Sequence, residues 1–211
     1  MKSSIKETTS FLEIFSDASL SGWGAYCNGE KTNGYWNEEE RKCHINELEL
    51  LAAFFGLKCF ASNCRSCDIL LRIDNTTAIC YIKRMGGIRF ENLSRVAKDI
   101  WSWCEMRDIW LVTSYVESAN NFEADFESRR LEPETEFQLN NEVYDKIIER
   151  FGQVEIDLFA SRTNAKCKKY VSWKRDPEAL AIDAFTIEWR PFFLRFSTFC
   201  NHFKRLTKGG K

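Results

Sequence analysis

The sequence predicts an α/β fold, a mixed sheet covered by helices. Three observations point there. Two short apolar runs rich in β-branched and aromatic residues stop abruptly at an aspartate. These are Phe11-Leu12-Glu13-Ile14-Phe15-Ser16-Asp17 and Ile69-Leu70-Leu71-Arg72-Ile73-Asp74. Runs of this length and composition read as buried strands. Residues 45–61 are apolar nearly all round, the mark of a buried helix. The elements follow in the order β-β-β-α-β-α-α-β-α, which suits one sheet with helices on its faces.

Each element has a local reason. After the first strand, Ala18-Ser19-Leu20-Ser21-Gly22 is a turn. Trp23 to Cys27 and Thr32 to Trp36 flank Asn28-Gly29 and form a hairpin. The helix over 45–61 carries Leu48, Leu51, Ala52, Phe55 and Leu57. Residues 69–73 are the fourth strand. The helix from Thr76 to Met85 is ended by Gly86-Gly87. A longer helix from Phe90 to Arg107 bears Leu93, Val96, Ile100, Trp101 and Cys104 on one side. Residues 109–116 are the fifth strand and 122–130 a short helix. Pro133 and its acidic neighbours mark a boundary. Beyond it come an amphipathic helix over 139–151, a strand over 154–159, a basic loop and a further extended stretch over 169–173. The expected partition is a tail (1–10), a main domain (11–131), a linker (132–138) and a small partial α/β lobe (139–211).

Composition narrows the classes. The chain is 44% hydrophobic and 14% aromatic, enough for a real core. Thirty basic residues stand against 31 acidic ones, for a net charge of −1, so a nucleic-acid partner must be met by local patches. No run of about 18 apolar residues exists, so no membrane span is expected. The N-terminus lacks the apolar core of a signal peptide. Nine cysteines, an odd number, suggest reduced thiols and an intracellular setting. Cys64-Arg65-Ser66-Cys67 is a CxxC, but with no second CxxC and only His44 and His202 as histidines, free thiols are expected over zinc.

Four acids stand out. Asp17 and Asp74 lie at the carboxyl ends of strands expected to be parallel neighbours, where ligands of open α/β sheets gather. Glu49 sits in the early turns of the buried helix, and Asp125 in the first turns of the last one. Each has a plainer reading. Asp74 can be a helix N-cap. Asn46 and Glu49 can form a capping box. Asp125 can complement a helix dipole. If Glu49 points inward, Glu47, two positions away, faces solvent. Four carboxylates in one cleft repel unless cations neutralise them. Hard oxygen ligands suit Mg²⁺ or Mn²⁺, and two such ions about 4 Å apart can support in-line phosphodiester displacement. Lys83, Arg84 and Arg89 flank Gly86-Gly87, placed either to follow a phosphate backbone or to complement helix ends.

Four motifs then stand in a telling order: Ser16-Asp17-Ala18-Ser19 with Gly22-Trp23-Gly24, His44-Ile45-Asn46-Glu47-Leu48-Glu49-Leu50, Arg72-Ile73-Asp74-Asn75-Thr76-Thr77-Ala78, and Asn121-Phe122-Glu123-Ala124-Asp125-Phe126-Glu127-Ser128-Arg129. Over about residues 10–131 the chain resembles the ribonuclease H domain of DIRS-type retroelements, where it follows a reverse transcriptase. The resemblance implies a ribonuclease H-like five-stranded mixed sheet. It implies cleavage of the RNA strand of RNA–DNA hybrids, with Asp17, Glu49, Asp74 and Asp125 holding two Mg²⁺, Mn²⁺ being the alternative. It puts Asn46, Thr76 and Asn121 near the sugar and phosphate groups of the hybrid, and Ser19, Lys83 and Arg84 are expected to bind it as well. A reverse transcriptase of the same element is the implied partner. Cellular ribonucleases H carry a loop histidine about ten residues before the last acid, and here that place is Tyr115. Transposases and integrases of related fold keep a late glutamate and no acid on the early helix, so the order Asp, Glu, Asp, Asp favours ribonuclease H. An inactive or domesticated fragment that binds nucleic acid is the other reading.

The tail is similar to the start of a phage-type N-6-adenine DNA methyltransferase. The likeness rests on Phe151-Gly152, Glu155 to Ser161, Asn164-Ala165, Tyr170, Asp176, Asp183-Ala184-Phe185 and Trp189. That family continues into a Pro-Pro motif that grips a flipped adenine. Here Arg195-Phe196-Ser197-Thr198-Phe199 takes its place, without prolines, and the sequence ends at Lys211. The segment is expected to be a truncated remnant that binds no S-adenosylmethionine and no other small-molecule cofactor. Arg162, Lys166, Lys168, Lys169, Lys174 and Arg175 cluster here, as a phosphate-facing patch or a solvated face.

Overall fold

The computed structural model describes residues 12–130 and 138–188, and the two-residue strand Arg195–Phe196. The chain divides into two compact units, 1–130 and 131–211.

The first unit is built on a five-stranded sheet in the order β3-β2-β1-β4-β5. The strands are β1 (Leu12–Ala18), β2 (Gly22–Cys27), β3 (Glu30–Tyr35), β4 (Cys67–Ile73) and β5 (Ile109–Tyr115). β1, β2 and β3 form an antiparallel meander, whereas β4 runs parallel to both β1 and β5. The hairpin between β2 and β3 turns on Asn28 and Gly29, both at positive φ (49° and 86°), the geometry a tight two-residue hairpin needs. β1 was expected to close at Asp17 and runs one residue further.

Alternation sets the core. Ile14 of β1 and Ile69, Leu71 and Ile73 of β4 point to one face and are fully buried. That face is covered by α1 (Ile45–Ala61), with α2 (Thr76–Lys83) and α3 (Glu91–Glu105) beside it. Leu50, Ala53 and Leu57 of α1 meet Leu93, Val96 and Ile100 of α3 in the main apolar cluster. Trp23, Trp36, Leu48 and Phe55 form a second one, with the Trp23 and Phe55 rings edge to face at 5.4 Å. α1 therefore has neighbours on nearly every side, which is why its sequence shows no single apolar stripe.

The opposite face carries α4 (Phe122–Arg129), packed on β1, β2 and β3. Ala25 faces α1, so Gly24 next to it faces α4. A Cβ at Gly24 would lie 2.3 Å from the Ala124 carbonyl oxygen and 2.4 Å from the Ser128 nitrogen. Only glycine lets the helix backbone settle this close to the sheet. Asn33 of β3 reaches across and donates to Glu127 Oε2 at 2.6 Å, fully buried.

Among its described residues the second unit has one α-helix, α5 (Asn141–Phe151), N-capped by Asn140, whose Oδ1 accepts from the Glu142 N–H. Its strands are only two residues long. β6 (Ile156–Asp157) pairs in parallel with β9 (Arg195–Phe196), and β7 (Val171–Ser172) with β8 (Ala181–Ile182). A parallel bridge between Asp157 and Tyr170 connects the two pairs. The strand expected over 154–159 is thus much shorter, because Asp157 and Phe159 turn into loop hydrogen bonds. Residues that carry the methyltransferase likeness serve as loop ties: the Tyr170 hydroxyl donates to Asp176 Oδ1, Asp176 Oδ2 accepts from the Arg162 N–H, and Asn164 Oδ1 accepts from the Ser161 N–H. Trp189, Ser197 and Thr198 lie outside the described residues. Among those described, no helix is long and apolar enough to cross a membrane.

Candidate active site

The parallel pairing of β1 and β4 places Ser16 beside Ile73, so Asp17 follows on β1 where Asp74 follows the end of β4. Asp17 lies on β1 and is 3% exposed. Asp74 follows the last residue of β4 and is half-buried. Its N-cap reading is not realised. Asn75 caps α2, its Oδ1 accepting from the Ala78 N–H at 2.9 Å, and the Asp74 carboxylate is left for other work.

Glu49 comes in from α1 and is buried, at 5% exposure. The capping box of Asn46 and Glu49 is not formed either. His44 is the N-cap, and its Nδ1 accepts from the Asn46 N–H at 3.2 Å. One carboxylate oxygen each from Asp17, Glu49 and Asp74 lie within 4.8 Å of one another. Among the described residues this is the one group of histidine, cysteine or acidic side chains close enough to hold a metal ion. Cys64 and Cys67 are free thiols.

Asp125 stands beside this trio on the first turn of α4. It is half-buried, and Arg129 one turn on donates to its Oδ1 through both Nε and Nη2. It falls outside the 4.8 Å group, yet its charge reaches both Asp17 and Glu49.

Crowding shows in the electrostatics. Burial, then the charges of Asp17 and Asp74, push the Glu49 carboxyl up to about 9, with a backbone hydrogen bond from Ala18 pulling the other way. Burial pushes Asp17 up to about 6, against the hydrogen bond from Ser128, with Asp74 and Asp125 adding to the rise. Glu49 Oε2 is buried and has no hydrogen-bond partner. An orphaned acceptor among three carboxylates is what a bound cation would satisfy.

One expectation is corrected. Glu47 was expected in solvent, but it is 5% exposed. A residue two positions from Glu49 is turned by about 200° around a helix, and on α1 that side meets α3. There Glu47 Oε1 accepts from Arg95 Nη2 at 3.3 Å. Asn121 is 1% exposed and its Nδ2 donates to the Ser16 carbonyl at 3.1 Å, next to Asp17 on β1.

The remaining residues divide. Ser19 Oγ donates to the Ser128 carbonyl at 2.7 Å and ties the β1–β2 turn to α4. Asn46 Oδ1 accepts from Asn75 Nδ2 at 3.0 Å, linking α1 to the residue after Asp74. Asn46, Thr76 and Arg84 line one groove of about 440 Å³, with Tyr81, Arg89 and Phe90. Lys83 is exposed and does not line it. Tyr115, at the end of β5, is 51% exposed.

Three residues were missed by sequence reasoning. Ser128 donates to Asp17 Oδ2 at 2.6 Å and Ser118 to Asp74 Oδ2 at 2.9 Å, while Arg129 holds Asp125. The i,i+4 spacing of Asp125 and Arg129 was a readable signal. Ser118 had none, since it is brought in by a loop.

No family model and no curated protein matches the chain. Likenesses appear among solved structures, all at low identity. The ribonuclease H1 of the halophilic archaeon Halobacterium salinarum is 15% identical with a TM-score of 0.46, covering 56% of this chain and 94% of that one. The LC11 ribonuclease H1, solved with an RNA/DNA hybrid, is 16% identical with a TM-score of 0.44, covering 55% and 92%. A foamy viral protease–reverse transcriptase, also solved with an RNA/DNA hybrid, is 12% identical with a TM-score of 0.38, covering 62% of this chain and 22% of that one.

Proposed function

We propose that this chain is a metal-dependent endonuclease of the ribonuclease H type that hydrolyses the RNA strand of RNA–DNA hybrids, in the setting of retroelement reverse transcription. The observation that carries the reading is the meeting of Asp17, Glu49 and Asp74 oxygens within 4.8 Å at the carboxyl ends of two parallel strands. The order of the four acids and the motifs around them support it.

The donor set fits a hard divalent cation. All the candidate ligands are carboxylate oxygens, and Glu49 Oε2 lacks any other partner. Asp17, Glu49 and Asp74 would hold Mg²⁺ or Mn²⁺, with Asp125 completing the site. When bound, such ions supply hydroxide at neutral pH and stabilise the charge that grows on the phosphate oxygens. The protein's share is positional. β1 and β4 fix Asp17 and Asp74 side by side, α1 brings Glu49 between them, and α4 sets Asp125 at the margin. The groove of Asn46, Thr76, Arg84 and Arg89 offers hydrogen bonds and positive charge to a sugar–phosphate backbone. A reverse transcriptase of the same element is the partner this activity implies.

Purified protein with a labelled RNA–DNA hybrid, an RNA duplex and a DNA duplex, each with Mg²⁺, Mn²⁺ or EDTA, tests the proposal. Cleavage of the RNA strand of the hybrid alone, lost in EDTA, is the expected result. Hybrid binding without cleavage in either metal would turn the reading to a nucleic-acid-binding module.

A further inference from the structure

Each acid around the cluster is held at one oxygen by a donor from outside it. Ser128 Oγ donates to Asp17 Oδ2 at 2.6 Å, and Ser118 Oγ to Asp74 Oδ2 at 2.9 Å. Arg129 grips Asp125 at Oδ1, and a backbone bond from Ala18 serves Glu49, whose Oε2 stays unpartnered and buried. A carboxylate with both oxygens free can swivel about its terminal torsion, which is soft. One fixed oxygen stops that motion and points the other in a set direction.

We propose that Ser118 and Ser128 are positioning residues for the carboxylate cluster, each occupying one aspartate oxygen so that the second is presented to a divalent cation. This rests on the metal-dependent reading above. Ser128 is itself locked. It is 1% exposed, its carbonyl accepts from Ser19 Oγ, and its hydroxyl also lies 2.9 Å from the Asp125 carbonyl. With a single proton to give, the hydroxyl favours the ionised Asp17, since bonds to a charged acceptor are the stronger ones. Ser118 works from the short turn Ser118–Asn120 between β5 and α4, outside the packed core. The two serines therefore reach neighbouring acids from different places, Ser118 from the turn before α4 and Ser128 from the last turn of α4 itself. Groups that orient metal ligands in this way typically change metal affinity when removed.

The test measures Mn²⁺ binding to the full chain by the electron-spin signal of the free ion, without substrate, for wild type, Ser118→Ala, Ser118→Thr and Ser128→Ala. Each alanine variant is expected to weaken Mn²⁺ binding about tenfold. kcat on the hybrid should fall at limiting metal while KM for the hybrid holds within about twofold. Ser118→Thr, which keeps the hydroxyl at an exposed place, restores both. A merely structural role would lower the melting temperature and leave the metal affinity of the folded protein unchanged. Wild-type affinity in both alanine variants overturns the inference alone. A wild-type chain that binds no Mn²⁺ overturns it together with the proposed function. If Ser128→Ala fails to fold, Ser118→Ala on its exposed turn decides.

Discussion

Burial, with the charges of neighbouring acids added to it, sets a pH dependence at Asp17 and Glu49. An unfolded chain releases these protons near pH 4. The folded chain keeps them longer, until about pH 6 at Asp17 and about 9 at Glu49. Between those limits the native state binds more protons than the unfolded one, so stability falls as pH rises. In EDTA the melting temperature should be higher at pH 5.5 than at pH 8.5, and Mg²⁺ should raise it more at pH 8.5. A higher melting temperature at pH 8.5 in EDTA would mean that Asp17 and Glu49 are not held protonated by burial and their acidic neighbours. Asp17→Asn and Asp74→Asn should each abolish hybrid cleavage by removing a charged ligand. Both should melt no lower than wild type, because a like charge is removed. Cleavage assays beside thermal melts check the pair. Glu47→Gln should leave cleavage within about twofold yet cost about 1 kcal/mol, since it weakens a buried acceptor's bond to Arg95; denaturant titration reads the difference. The aspartates' strand-end places were legible from where the apolar runs stop. The two glutamates of α1 were not separable in the same way. Which sides of a helix are covered depends on α3, and nothing in residues 45–61 reports where α3 lies.

Elements with strong periodicity were readable to within a residue or two. The helix over 45–61 stands as expected, and α3 begins one residue later than expected and ends two earlier. The two-residue strands of the second unit carry no period that a sequence could show. α4 is the instructive case. Its length is visible from Phe122 to Arg129, but its role as a plate seated on Gly24 and latched by Asn33 depends on contacts between distant segments. The groove at the end of α2 gives the prediction that belongs to this scale. Arg84 lines it and Lys83 does not. Arg84→Ala should flatten the dependence of log affinity for the hybrid on log salt by about one unit, the loss of one phosphate contact. Lys83→Ala should leave the slope alone. Filter binding across a salt series separates them, and an unchanged slope in Arg84→Ala would leave that arginine as a helix-end cation only.

At the scale of the whole molecule, the chain divides into two compact units near residue 130. The first unit has long strands and a large core, whereas among its described residues the second buries Ile156, Leu158, Val171 and Ala184 in its own cluster. The mixed sheet of the first unit also has a kinetic meaning. β1 and β4 are far apart in sequence and become neighbours only after α1 has crossed between them. Asp17 and Asp74 therefore cannot meet in a partly folded chain that lacks this parallel ladder, and long-range parallel pairing forms slowly. On the metal-dependent reading proposed above, the cation site is a property of the finished ladder, so a divalent ion would stabilise the native state by mass action without guiding the search for it. Stopped-flow folding in EDTA and in Mg²⁺ should show unfolding slowed by the ion and the folding limb unmoved. An ion that sped folding would mean the aspartates find each other before the strands do.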